Sequence, residues 1–123
     1  MNMIRVLLVD DNAIIRASFK RLLNDISNLD IVGECSDGAG VIPFLKSNQV
    51  DVIFMDIIMR VMDGFEATKQ VKRNYPSVKV IGFSSFDLIT SVNKMKTCGA
   101  DGFISKFDVN KELIISELKS VMC

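Results

Sequence analysis

Three apolar runs in this chain end in charged residues. Ile4 to Val9 runs into the pair Asp10-Asp11, Val52-Ile53-Phe54-Met55 ends at Asp56, and Gly102-Phe103-Ile104-Ser105 ends at Lys106. Strands usually finish in turn residues or neutral polar groups, so this placement calls for an explanation. Carboxylates that converge can hold a hard divalent cation through oxygen, and a carboxylate is also a feasible covalent nucleophile. An ammonium beside them can neutralise the charge that a loose transition state spreads over phosphoryl oxygens. Three carboxylates and one lysine therefore outline a magnesium and phosphoryl site. They meet only if the three runs are parallel, adjacent strands of one sheet.

Composition removes competing chemistries. The chain has no histidine, so no Ser-His-Asp or Cys-His nucleophile system can be assembled, and the usual His-rich zinc sites are excluded. Fifteen acids balance fifteen bases, which leaves no electrostatic footprint for DNA, RNA or an anionic membrane. Cys35, Cys98 and Cys123 form no CxxC pair, and their odd number argues against a disulfide framework. No apolar run approaches the roughly 20 residues that cross a bilayer. The N-terminal apolar stretch runs straight into acids, unlike a signal peptide. The expected compartment is the cytoplasm.

The elements that must position the acids follow a regular beat. Ile4–Val9 reads as a buried strand, followed by a helix from Asn12, its expected cap, to about Ile26 with Ile15, Phe19, Leu22 and Leu23 on one face. A second strand covers Leu29 to Gly33. A short helix covers Val41 to Lys46, where Pro43 is tolerable only within the first turn. The third strand is Asp51 to Asp56, and a helix from Phe65 to Asn74 turns Phe65, Thr68 and Val71 inward. Lys79 to Phe83 is the fourth strand. Leu88 to Cys98 is an amphipathic helix through Ile89, Val92 and Met95, stopped by Gly99. Gly102 to Ser105 is the fifth strand, and the last helix spans Val109 to Met122. Strands alternating with helices imply right-handed crossovers and a parallel sheet covered on both faces. No linker or repeat interrupts the pattern, so residues 1–123 read as one domain.

Ligands of such sheets bind beyond the carboxyl ends of the strands. Those ends carry Val9-Asp10-Asp11-Asn12, Met55-Asp56-Ile57-Ile58-Met59 with Asp63-Gly64, Phe83-Ser84-Ser85, and Gly99-Ala100-Asp101-Gly102-Phe103-Ile104-Ser105-Lys106. Over essentially its whole length the chain resembles the CheY-like receiver domain of two-component response regulators. Val32-Gly33-Glu34-Cys35-Ser36-Asp37-Gly38 and Met62-Asp63-Gly64-Phe65-Glu66-Ala67-Thr68 are most similar to the NarL-type subgroup. The resemblance implies a flavodoxin-like α/β fold, a five-stranded parallel sheet in the order 2-1-3-4-5 with five helices on its two faces.

It also implies roles. Asp56 would be the phosphoacceptor, taking a phosphoryl group from a sensor histidine kinase or phosphotransfer protein. Asp11, Asp56 and the main-chain carbonyl of Ile58 would bind Mg2+ (or Mn2+), with Asp10 orienting a water on the metal. Lys106 and Ser84 would contact phosphoryl oxygens. Ser84 and Phe103 would form the switch that remodels the surface of the fourth helix, fifth strand and fifth helix, or of the first helix in some relatives. Such a protein is a phosphoacceptor that assists its own phosphorylation and dephosphorylation, not an enzyme acting on a separate substrate. A homodimer is among its possible states.

Some positions depart from the family pattern. Arg60 stands where a proline usually follows the methionine, placing a cation near the acids. Phe107 replaces the proline that often follows the lysine, which removes the occasion for a cis peptide there. Ile58 and Phe86 flank the site two residues beyond Asp56 and Ser84, and both should hinder an attacking water. The competing readings are a pseudo-receiver that is never phosphorylated and an enzyme or flavin carrier on the same fold. A phosphohydrolase needs Asp-x-Asp after its nucleophile strand and a flavodoxin a hydroxyl-rich loop after the first strand; Asp10-Asp11-Asn12-Ala13 supplies neither. No helix-turn-helix follows the last helix. The chain therefore reads as a stand-alone receiver or as the regulatory part of a transcriptional regulator whose DNA-binding part was removed, with no nucleic-acid contact of its own.

Overall fold

In the computed structural model, which describes residues 3–85 and 89–122, β-strands and α-helices alternate throughout. The strands are β1 (Ile4–Val9), β2 (Leu29–Cys35), β3 (Val52–Met55), β4 (Lys79–Ser84) and β5 (Gly102–Ser105). The helices are α1 (Ala13–Asn24), α2 (Val41–Ser47), α3 (Gly64–Asn74), α4 (Ile89–Thr97) and α5 (Lys111–Met122), with a 3-10 turn at Gly38–Gly40. The strands pair in the order β2-β1-β3-β4-β5, all parallel. Both the order and the direction agree with the expected fold.

Central strands covered on both faces cannot alternate apolar with polar residues, which explains the unbroken runs. Side chains of β1 and β3 still alternate in direction. Leu7, Val9, Ile53 and Met55 pack with Val41 and Leu45 of α2, Val71 of α3 and Met95 of α4. Val6, Leu8, Val52 and Phe54 face Phe19 and Leu23 of α1 and Ile114 and Leu118 of α5. Three helices thus cover one face and two the other. Phe19 anchors the second core, its ring 4.9 Å from Phe54 and 4.2 Å from Phe83 between centroids. Edge and tilted ring pairs of this kind add about 0.5–1.5 kcal/mol beyond buried area.

Several boundaries differ from the sequence reading. β2 runs on to Cys35 because Glu34 and Cys35 pair with Leu8 and Val9. The same ladder shifts register between Val6 and Leu7, inserting Val32 as an extra residue. The adjacent Gly33 lies under the Phe44 ring, where a Cβ would approach Cζ to 2.4 Å. Pro43 is the third residue of α2, inside the first turn. Helix α5 starts at Lys111 rather than Val109, and the Asn110 side chain accepts the Leu113 N–H at 2.8 Å. Ile89 is a correction: expected on the buried face of α4, it is 77% exposed, and Met95 is the buried residue of that helix. Leu88, Phe86 and Cys123 lie outside the described residues. Among the described residues no helix is long and apolar enough to cross a membrane.

Candidate functional site

Parallel strands place all their carboxyl ends on one edge, and there the ladder hands each charged residue to its neighbour. The Asp10 N–H donates to Cys35 O at 3.1 Å, tying the end of β1 to β2. The Asp56 N–H donates to Val9 O at 2.8 Å, and the Lys106 N–H to Ser84 O at 2.8 Å. These three backbone bonds tie the end of β1 to β2, that of β3 to β1 and that of β5 to β4, and the β3–β4 ladder joins the two groups into one row. Across this row the Lys106 Nζ lies 2.6 Å from Asp10 Oδ2 and 3.3 Å from Asp56 Oδ1. It also stands 5.2 Å from the Phe83 ring centroid, so the aromatic cluster floors the site.

Each acid has a distinct environment. Asp10 is 3% exposed, and its Oδ1 accepts the Asn12 N–H at 2.8 Å. Asn12 in turn caps α1, its side chain accepting from the N–H groups of Ile14 and Ile15. Asp11 is partly exposed at the mouth. Asp56 is 5% exposed, and its Oδ1 accepts the Ile57 N–H at 2.9 Å. Burial pushes its carboxyl up to about 6; Lys106 and the Ile57 N–H pull it down, while Asp10 adds to the rise. One oxygen from each of Asp10, Asp11 and Asp56 falls within 4.8 Å of the others. That is a set of hard donors with one lysine for three acids, which suits a small divalent cation that lets crowded carboxylates stay ionised.

The loop after β3 is held by two glycines that sequence reasoning did not single out individually. The Gly64 N–H donates to Ile57 O at 2.6 Å, and a Cβ on Gly64 would come within 2.1 Å of the Asp56 carbonyl oxygen. The Gly38 N–H donates to Met62 O at 3.0 Å, bracing the loop from the turn before α2. Asp63 caps α3 by accepting the Glu66 N–H. The adjacency Asp63-Gly64 was the visible signal for the first glycine. Asp37-Gly38 was the same signal for the second, but nothing local signalled Arg16, whose guanidinium donates to the Asp10 main-chain oxygen.

The remaining expected residues fall around this centre. Ser84 is buried at the end of β4. The Phe103 ring lies against Gly82, where a Cβ would meet its Cδ2 at 2.8 Å, beside Met95 of α4. Ile58 is 57% exposed on the loop after β3. Arg60 is exposed and makes no ion pair among the described residues. Phe86 lies outside the described residues. Cys35 and Cys98 are buried free thiols. Ile14, Ile58, Val61, Ile89 and Phe107 are exposed, and they belong to helices and loops that begin at this edge of the sheet.

Fold and edge together define a class, and the chain belongs to it: the response regulator receiver domain family, whose profile matches residues 6–119. It is a receiver domain of the two-component response regulators, of the NarL/LuxR-like kind. It is 37% identical over 119 residues to the response regulator UvrY of Escherichia coli K12, covering 97% of this chain and 54% of that protein. It is also 37% identical over 103 residues to the response regulator protein VraR of Staphylococcus saprophyticus, covering 84% of this chain and 49% of that one. The chain thus spans about half the length of these curated relatives. Among solved structures it is similar to the signal receiver domain of the putative response regulator NarL from Mycobacterium tuberculosis. That match has a TM-score of 0.88 and 28% identity, covering 99% of this chain and 98% of the other. The response regulator domain of Thermotoga maritima CheB matches with TM-score 0.86 and 27% identity, over 99% and 98% of the two chains.

Proposed function

We propose that residues 1–123 form a phosphoacceptor switch in which Asp56 receives a phosphoryl group from a sensor histidine kinase or phosphotransfer protein. The observation that carries this reading is the Lys106 ammonium bridging Asp10 and Asp56 across the sheet edge, with three carboxylates gathered beside it. An Asp56 carboxylate oxygen attacks phosphorus, the bond to the donor nitrogen breaks, and the electron pair leaves with the imidazole. Near pH 7 a group ionising at about 6 is mostly the carboxylate, the form that attacks. Lys106 turns from the acids to the incoming phosphoryl oxygens, and Ser84 supplies a hydroxyl donor.

Asp11, Asp56 and the Ile58 carbonyl would hold Mg2+ or Mn2+ directly, with Asp10 acting through a water. A bound cation supplies neutralisation of the charge gathered among the acids and the phosphoryl oxygens. Charge-assisted bonds to the phosphoryl group select a conformer in which Ser84 moves toward it and Phe103 follows. The notch over Gly82, shared by Phe103 and Met95, supports this coupling because it joins β5 to α4. The α4, β5 and α5 surface then carries the output, as part of a longer transcriptional regulator or through a partner. Exposed apolar residues on the helices and loops that begin at this edge are consistent with a protein donor. Bulky Ile58 at the mouth supports a long-lived phosphoprotein.

The test is intact mass after incubation with acetyl phosphate and Mg2+. Wild type should gain one phosphoryl group and Asp56→Asn none. Failure of wild type to react, together with failure to bind beryllofluoride, would overturn the reading in favour of an unphosphorylated interaction module.

A further inference from the structure

Arg16 lies in the first half of α1, yet its guanidinium serves two other elements. Its side chain is only 18% exposed. Nη1 donates to the main-chain oxygen of Asp10, and Nε donates to Glu34 Oε1 at 3.1 Å. Glu34, on β2, is also held by the Lys20 Nζ at 2.7 Å. The Lys20 ammonium first, and the Arg16 guanidinium after it, hold the Glu34 carboxyl below its usual range against the opposing effect of burial.

The oxygen that Arg16 holds belongs to the peptide joining Asp10 to Asp11. Asp10 is already fixed on its amide side, where its N–H donates to Cys35 O. With its carbonyl held by Arg16, both ends of residue 10 are referred to β2, one directly and one through Glu34. The plane of that peptide sets where the Cα–Cβ bond of Asp11 points. A planar fork can serve Asp10 and Glu34 at once with little loss of freedom, whereas a lysine is a point donor.

We propose that Arg16, clamped by Glu34, is a positioning residue for the divalent cation, fixing the Asp10-Asp11 peptide so that both carboxylates face the cation. The inference rests on the reading of Asp10, Asp11 and Asp56 as a divalent-cation site. Charge alone argues the other way. A guanidinium beside the acids repels a cation, so a purely electrostatic role has Arg16→Met bind Mg2+ more tightly. Positioning has it bind more weakly, by about ten- to a hundredfold, the usual effect of losing a residue that orients metal ligands. The sign of the change separates the two.

The experiment is calorimetric titration of the full chain with Mg2+, run on wild type, Arg16→Met, Arg16→Lys, Glu34→Gln and Lys20→Met, with urea stability measured alongside. Arg16→Met should raise the Kd about tenfold or more, with Arg16→Lys and Glu34→Gln between it and wild type. Lys20→Met should match wild type, because it strips Glu34 of its other cation while leaving Arg16 joined to Asp10. If Arg16→Met fails to fold, the same ordering of Arg16→Lys and Glu34→Gln against Lys20→Met carries the test. An Arg16→Met Kd equal to or below that of wild type overturns the inference, as does a loss of stability with unchanged Kd. Those results leave the cation site itself standing. A wild type that neither binds Mg2+ nor takes a phosphoryl group overturns both.

Discussion

Asp56 is held where its protonated form is favoured, and this can be read as stability. Its carboxyl titrates at about 6 in the folded chain against an ordinary value of 3.8, burial being the main cause. Between those two values the folded protein keeps a proton that the unfolded chain has released. The folded pKa is the raised one, so the favourable contribution is complete below about pH 4 and lost as pH rises through 6. About two units at roughly 1.36 kcal/mol each set a ceiling of about 3 kcal/mol. Asp56→Asn removes the ionisation. It keeps an oxygen to accept the Ile57 N–H, and it leaves Lys106 paired with Asp10 at 2.6 Å. The variant should therefore be more stable than wild type by about 1–3 kcal/mol at pH 8 in EDTA, and equal to it at pH 4. The chain has no tryptophan, so urea unfolding followed by far-UV circular dichroism is the suitable assay. Mg2+ should narrow the gap at pH 8, since a ligand of the folded wild type stabilises it by mass action. A gap of equal size at both pH values would refute the burial argument. So would a wild type more stable than the variant at pH 8 in EDTA.

Other outcomes follow from single contacts. Thr68→Val should raise stability by about 1 kcal/mol in urea unfolding, because the Thr68 hydroxyl is buried with no hydrogen-bond partner among the described residues. Gly64→Ala should cost about 1–3 kcal/mol and slow phosphoryl uptake from acetyl phosphate, since the new methyl group collides with the Asp56 carbonyl. Uptake at the wild-type rate would show that the loop gives way freely. Ile58→Asn should shorten the lifetime of the phosphoprotein in magnesium buffer, followed by intact mass, by opening the mouth to an attacking water. An unchanged lifetime would remove Ile58 as a shield.

How much of this was legible depended on whether the cause was local. Asp10, Asp56 and Lys106 stood out because an apolar run followed by a charge is visible in the sequence, and parallel pairing then brings such ends together. The extension of β2 to Cys35 was not visible, because its cause is pairing with Leu8 and Val9, far away in sequence. Ile89 was misplaced for a related reason. Helical spacing assigned it inward, but it lies at the start of α4, on the edge that the sheet leaves open. Arg16 looked like any charge on an amphipathic helix, since its partners are a main-chain oxygen and a glutamate on another strand. Charges at strand ends announce themselves, whereas the groups that aim them do not.

Lys106 and Asp10 meet across 96 positions of sequence, so the site is closed by a ring comprising most of the chain. The acids ride on β1 and β3 in the middle of the sheet, while the lysine rides on β5, a four-residue margin paired only with β4. Fraying of that margin takes the cation away and leaves the acids in place. A group bound between Asp56 and Lys106 acts as a rivet from the centre of the sheet to its selvedge. Amide exchange along β5 should therefore slow on occupancy more than exchange along β1, making the margin a gauge of whether the site is filled.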